Sequence, residues 1–254
     1  MNLSTSINPQ YNLDKIKFAT DKSTYEKAVG LYDSGKVTEF ETKFDGFSAI
    51  VLGSRPYRVF VESRYHDYGN CECYLGQNDA LCKHMIAVAI YAVLDGKPLK
   101  QEDKEVAYSP KCSGKLGEIS REQLEAIEKS FTISIKYIKP YRGSSKTWFA
   151  YQDSLSEGCN RLSTIISELP VSIKTTNLIV KLLLRLDKKL TSGGVDDSDG
   201  TVGGFIQEAV DVLIEYTKLK PTCVESFHLL LGRDTSFGWE EPLLKMYERI
   251  EINN

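Results

Sequence analysis

The sequence predicts an α+β chain: a small antiparallel sheet plus a helix around a Cys3His zinc site, followed by a mostly α-helical domain. Three observations predict it. Short runs rich in Val, Ile, Tyr and Phe alternate with turn residues between positions 37 and 62. Cysteines and a histidine then cluster as Cys71-x-Cys73 and Cys82-x-His84. Beyond residue 118 the apolar residues recur at helical spacing.

The first element in chain order is a helix over Thr24–Tyr32, with Tyr25, Ala28, Val29 and Tyr32 on one side and Gly35 as its terminator. Residues 1–20 read as irregular. Strands follow at Val37–Phe44, Phe47–Leu52 and Tyr57–Glu62, joined by Asp45-Gly46 and by Gly53-Ser54-Arg55-Pro56. After the cysteine cluster, Met85–Leu94 is apolar all round and stops at Asp95-Gly96, as a helix buried on most sides would. Residues 106–117, rich in Lys, Ser, Pro and Gly, read as a linker between a domain at 1–105 and one at 118–254.

In the second half, Ser120 with Gln123 forms a capping box that starts a helix to Ser130. Phe131–Ile138 alternates as a strand would. Helices are expected at Gln152–Leu169, at Thr175–Leu190 (Leu178, Leu182 and Leu186 four apart) and at Phe205–Leu219, with two shorter ones at Cys223–Leu231 and Glu240–Glu251. Ser192–Gly204 reads as a flexible polar loop. Its aspartates fail the calcium-loop pattern: taking Gly200 as the sixth position puts Val195 first and Ile206 twelfth, where acids are needed.

The bulk composition excludes several classes. The chain has 254 residues, 41% hydrophobic and 26% charged, enough for a core that does not depend on metal alone. No apolar run approaches the ~20 residues of a membrane-spanning helix. Met1–Gln10 lacks the pattern of a secretory signal, so a cytoplasmic location is expected. The formal net charge of −3 is not that of a chain dominated by nucleic-acid binding.

The chemistry concentrates in the cluster. Zinc takes thiolate and imidazole ligands tetrahedrally, and a set of three cysteines and one histidine leaves no position for water or substrate. One structural zinc ion is therefore expected on Cys71, Cys73, Cys82 and His84, tying the sheet to the apolar helix. His66 lies outside the paired spacing and reads as a surface histidine. Cys112, Cys159 and Cys223 are isolated and read as plain reduced thiols, with no activating histidine beside them.

At these residues the sequence resembles the SWIM zinc-finger family. The likeness runs upstream through Gly35-Lys36-Val37 and Gly53-Ser54-x-Pro56-Tyr57-x-Val59 and spans about residues 25–95. It implies protein or DNA binding and no shared enzymatic activity. Free-standing bacterial members, which the chain resembles more, are often encoded beside AAA-type ATPases and von Willebrand A-domain proteins. The resemblance therefore implies an accessory role in a multi-protein system with such a protein as partner.

A second feature bears on function. Lys129–Gln152 carries basic residues and no acid, interleaved with aromatics. Lys136, Lys139, Tyr141, Arg142, Lys146 and Trp148 could contact phosphates and stack bases; the plainer reading is a solvated basic loop beside core aromatics. Phe237-Gly238-Trp239 reads either as an anchor for the last helix or, if exposed, as a partner site. No Ser-His-Asp, Cys-His, phosphate-loop or dinucleotide motif is visible. The expectation is a non-enzymatic, zinc-stabilised protein-interaction adaptor, with nucleic-acid binding through the zinc module and the 136–146 loop as the alternative.

Overall fold

The computed structural model describes residues 7–251. The chain divides into two compact units, 1–106 and 107–254. No helix among the described residues is long and apolar enough to cross a membrane.

The first unit runs α1 (Leu13–Ala19), α2 (Lys22–Asp33), β1 (Val37–Thr42), β2 (Gly46–Leu52), β3 (Pro56–Glu62), β4 (Gly69–Cys71), α3 (Lys83–Leu94) and the single turn α4 (Gln101–Lys104). The sheet is four-stranded and antiparallel in the order β1-β2-β3-β4. Alternation sorts its two faces. Phe47, Ala49 and Val51 on β2 and Val59 and Val61 on β3 are buried, and they pair across the ladder with Val51 opposite Tyr57, Ala49 opposite Val59 and Phe47 opposite Val61. The helix α3 packs against this face, with α2 on its other side. Being covered from both directions, α3 has no polar stripe, and Met85 to Ile90 are all buried. It ends on Asp95 and Gly96, both at positive φ (52° and 73°), where glycine carries no steric penalty.

Two differences from the sequence reading fall in this unit. Residues 13–19, expected to be irregular, form α1, capped by the Asn12 side chain accepting from the Lys15 N–H at 2.9 Å; residues 1–6 of that irregular stretch lie outside the described residues. His66 is buried against Tyr11, not on the surface.

The second unit contains α5 (Arg121–Ile135), α6 (Trp148–Glu168), α7 (Ile173–Thr191), α8 (Thr201–Leu219), a 3-10 segment at Pro221–Leu230 and α9 (Glu241–Glu251). Their apolar faces share one core, in which Leu155, Leu162, Ile179, Leu183, Leu213 and Phe227 are fully buried. The Ser120 capping box forms as expected. Residues 107–117 carry no helix. They run along this unit, where Ser113 Oγ donates to Leu169 O at 2.6 Å and Leu116 bridges Val171.

The strand expected at 131–138 is instead the end of α5, to Ile135, and the turn that follows it. Phe131, Ser134, Ile135 and Ile138 are buried while Thr132 and Ile133 face out, which is helical rather than alternating spacing. The Thr132 and Ser134 hydroxyls donate to the carbonyls of Glu128 and Ser130, four residues back, so the helix absorbs their polar groups. The loop expected over 192–204 ends earlier, because α8 already begins at Thr201. The Asp197 carboxylate accepts from the Val202 and Gly203 N–H groups at 2.7 and 2.8 Å and satisfies the first turn.

Candidate metal centre

Strand register aims the first ligand. Cys71 on β4 stands opposite Val59 on β3, so its side chain shares the face that α3 covers. Cys73 follows two residues later, where the chain leaves β4 and makes a 3-10 turn at Gly76–Asn78. Cys82 occupies the N-cap position of α3, and His84 lies in its first turn. All four side chains are buried, and their ligand atoms lie within 4.8 Å of one another. The Sγ atoms of Cys71 and Cys82 are 3.7 and 3.9 Å from His84 Nδ1. These residues are close enough to hold one metal ion.

The backbone supports the sulfurs. The Cys73 N–H donates to Cys71 Sγ and the Gly76 N–H to Cys73 Sγ, each at 3.4 Å. Gly76 is required by close approach: a Cβ there would lie 2.4 Å from the Cys71 carbonyl oxygen. The buried Cys71 and Cys82 thiols perturb one another. The hydrogen bond from Cys71 lowers the Cys82 thiol, with His84 and the Met85 N–H adding to it; Cys71 is correspondingly raised. A cation at this point would displace thiol protons.

The imidazole has a wall of its own. Tyr57 lies against the His84 ring, centroids 4.6 Å apart, and a Cβ at Gly53 would come within 3.0 Å of Nε2. Nε2 is buried with no hydrogen-bond partner among the described residues, while Nδ1 faces the sulfurs. Nδ1 is thus the imidazole nitrogen placed to face a metal ion held by the sulfurs. The Tyr57 ring also carries the Arg55 guanidinium, 5.3 Å from its centroid. His66 is not one of the clustered ligands.

The basic segment is divided in character. Lys136, Lys139, Arg142 and Lys146 are exposed, as is Phe149 at 76%. Three of the aromatics, however, are held internally. Trp148 Nε1 donates to Asp196 Oδ2 at 3.1 Å, the Tyr151 hydroxyl accepts from the Asp196 N–H at 2.9 Å, and Tyr141 packs on Tyr151 with its own N–H on Gly194 O. The loop at 194–196 thus fastens the aromatics that sequence offered as base-stacking groups. Asp196 was not singled out by sequence, since nothing local joins it to a tryptophan 48 residues away.

Of the isolated cysteines, Cys159 and Cys223 are buried and Cys112 half-buried, all as free thiols; burial pushes the Cys159 and Cys223 thiols up, away from the reactive thiolate. Trp239 is 1% exposed, which selects the anchor reading over the partner site. Comparison with protein-family models, curated proteins and solved structures returned no match.

Proposed function

We propose that the chain is a protein-interaction adaptor whose first unit is stabilised by one structural zinc ion on Cys71, Cys73, Cys82 and His84. The observation that carries this reading is the closed donor set: three buried sulfurs and one imidazole nitrogen within 4.8 Å of one another. A sulfur and a nitrogen ligand on a tetrahedral zinc ion stand roughly 3.5–3.6 Å apart, given the usual bond lengths. The 3.7 and 3.9 Å separations to His84 Nδ1 are close to that spacing. Soft thiolates favour zinc over calcium or magnesium, and a full shell of protein ligands makes the ion a cross-link rather than a Lewis acid for a substrate. What the ion supplies is rigidity: it fastens the end of β4 to the start of α3.

The adaptor role draws on exposed apolar groups around this centre. Tyr68, Tyr74 and Leu75 are exposed beside the ligand-bearing loop, with Tyr74 at 80%. A SWIM-type module in a multi-protein assembly, with an AAA-type ATPase or a von Willebrand A-domain protein as partner, is the corresponding cellular reading. The competing reading, nucleic-acid binding, is favoured by the exposed Lys136, Lys139, Arg142 and Lys146 and weakened by the internal engagement of Trp148, Tyr141 and Tyr151. Anisotropy with single- and double-stranded probes across a salt series separates the two. The adaptor reading expects no binding at low salt. Salt-sensitive binding that falls further in a Lys139/Arg142/Lys146 charge-removal variant would replace it with the nucleic-acid reading.

A further inference from the structure

A cleft of about 420 Å³ opens beside the metal-ligand loop in the first unit. That is within the range of about 300–1,000 Å³ that small ligands or anchoring side chains occupy. Its existence follows from the local chain path. Gly69 and Gly76 both line it, and neither can carry a side chain. A Cβ on Gly69 would lie 2.1 Å from the Phe60 carbonyl oxygen, and one on Gly76 would meet Cys71. These two close approaches hold β4 against β3 and the loop against Cys71, and so fix two edges of the cleft.

The lining has a definite chemistry. Leu81 and the nearly buried Met85 give it an apolar wall, while Asp67, Asp79 and the exposed ring of Tyr68 complete its lining. Among the described residues no lysine or arginine lines it, and His66 Nδ1 lies 3.8 Å from the Asp67 carboxylate. An aliphatic stem ending in a delocalised cation matches all three parts. The stem covers Leu81 and Met85, the planar cation stacks on the tyrosine face, and its N–H groups meet the carboxylates. Arginine fits better than lysine because its guanidinium is planar, weakly hydrated and able to form paired bonds to a carboxylate.

We propose that this cleft is the docking site for an arginine side chain presented by the protein partner. The proposal rests on the adaptor reading and names the chemistry of the contact. It also couples recognition to the metal centre, since Gly76 lies between Cys73 and Cys82 and its N–H donates to Cys73 Sγ.

The test uses the metal-loaded full chain, isotopically labelled and titrated with the peptide acetyl-Gly-Arg-Gly-amide while backbone resonances are followed. Saturable shifts centred on Gly69, Gly76 and Asp79 are expected. The citrulline peptide, neutral but nearly the same shape, should bind at least about tenfold more weakly, as should Asp67→Asn/Asp79→Asn toward the arginine peptide. Tyr68→Ala, at an exposed position, should weaken binding by several-fold while shifts in the free protein stay confined to Tyr65 and the cleft. No shift, shifts centred elsewhere, or equal response to the citrulline peptide would overturn the proposal. Such a failure, with nucleic-acid probes also unbound, removes the arginine site and leaves the adaptor reading standing. Binding of nucleic acid through Lys139, Arg142 and Lys146 removes the adaptor reading itself.

Discussion

His84 Nδ1 lies 3.7 Å from Cys71 Sγ, joining the first turn of α3 to the last residue of β4. The two residues are thirteen apart in sequence, and between them the chain makes a loop with one 3-10 turn and little core of its own. A bond through a metal ion at this point would therefore close the sheet onto its helix. Structural zinc supplies about 10–16 kcal/mol of apparent binding free energy, more than the ~5–15 kcal/mol net stability of most domains.

Removing the metal with a chelator should accordingly unfold the first unit and not merely loosen the ligand loop. The second unit has a separate hydrophobic core, so its helices should persist. Circular dichroism and amide spectra report the two outcomes together: loss of dispersed signals from 7–106 with retention of those from 107–251. A melting curve unchanged by chelator would contradict the structural role.

Gly76→Ala should destabilise the metal centre. The new methyl would sit 2.4 Å from the Cys71 carbonyl oxygen and 2.6 Å from the Cys71 Cβ, both parts of a ligand residue. A loss of about 1–3 kcal/mol in stability is expected, the usual cost of overpacking, together with faster metal release to a competing chelator. Gly30→Ala is the matched control. Nothing lies within 4 Å of a Cβ at that helical, exposed position, and a gain of about 0.5–1 kcal/mol is expected.

Metal affinity should fall as the solution is acidified. The sign follows from the sulfurs: without a cation, the raised Cys71 thiol keeps its proton and donates to the lowered Cys82, so binding must release at least that proton. Each proton released weakens apparent affinity about tenfold for every unit the pH drops below neutral. Competition with a chelator of known protonation behaviour measures the slope, and an affinity independent of pH would contradict thiolate ligation.

In the second unit, Asp187 carries the C-terminal segment. Its Oδ1 accepts from the Ser236 N–H at 2.8 Å, the Ser236 hydroxyl at 2.7 Å and Trp239 Nε1 at 3.2 Å. Asp187→Ala strands these donors and should cost about 3 kcal/mol. Trp239→Phe keeps most of the packing, loses one bond and should cost about 1 kcal/mol. Denaturant midpoints of the full chain distinguish them; equal effects would mean that ring volume, not the hydrogen bonds, holds the segment.

The clustering of Cys71, Cys73, Cys82 and His84 was legible in sequence because they lie in two Cys-x-Cys/His pairs, a local pattern that survives without knowledge of the fold. The Ser120 capping box and the αL terminator at Gly35 were legible for the same reason. The register that turns Cys71 toward α3 was not, since β4 is only three residues long and carries no alternation of its own. The alternating Phe131, Ile133 and Ile135 misled because β-branched residues and hydroxyls favour strands in isolation, while burial of Phe131, Ser134, Ile135 and Ile138 in the helical core decides the outcome. Of the two acids read as loop residues, Asp197 caps α8 locally, while Asp196 acts at long range and holds Trp148. The latter pairing depends on tertiary structure and leaves no mark on the neighbouring sequence.

X-ray absorption at the zinc edge, on protein purified without added metal, tests the central claim most directly. One zinc per chain, with three sulfur neighbours and one nitrogen, is the predicted result for Cys71, Cys73, Cys82 and His84. A shell containing oxygen, or a metal content that Cys82→Ser leaves unchanged, would contradict it.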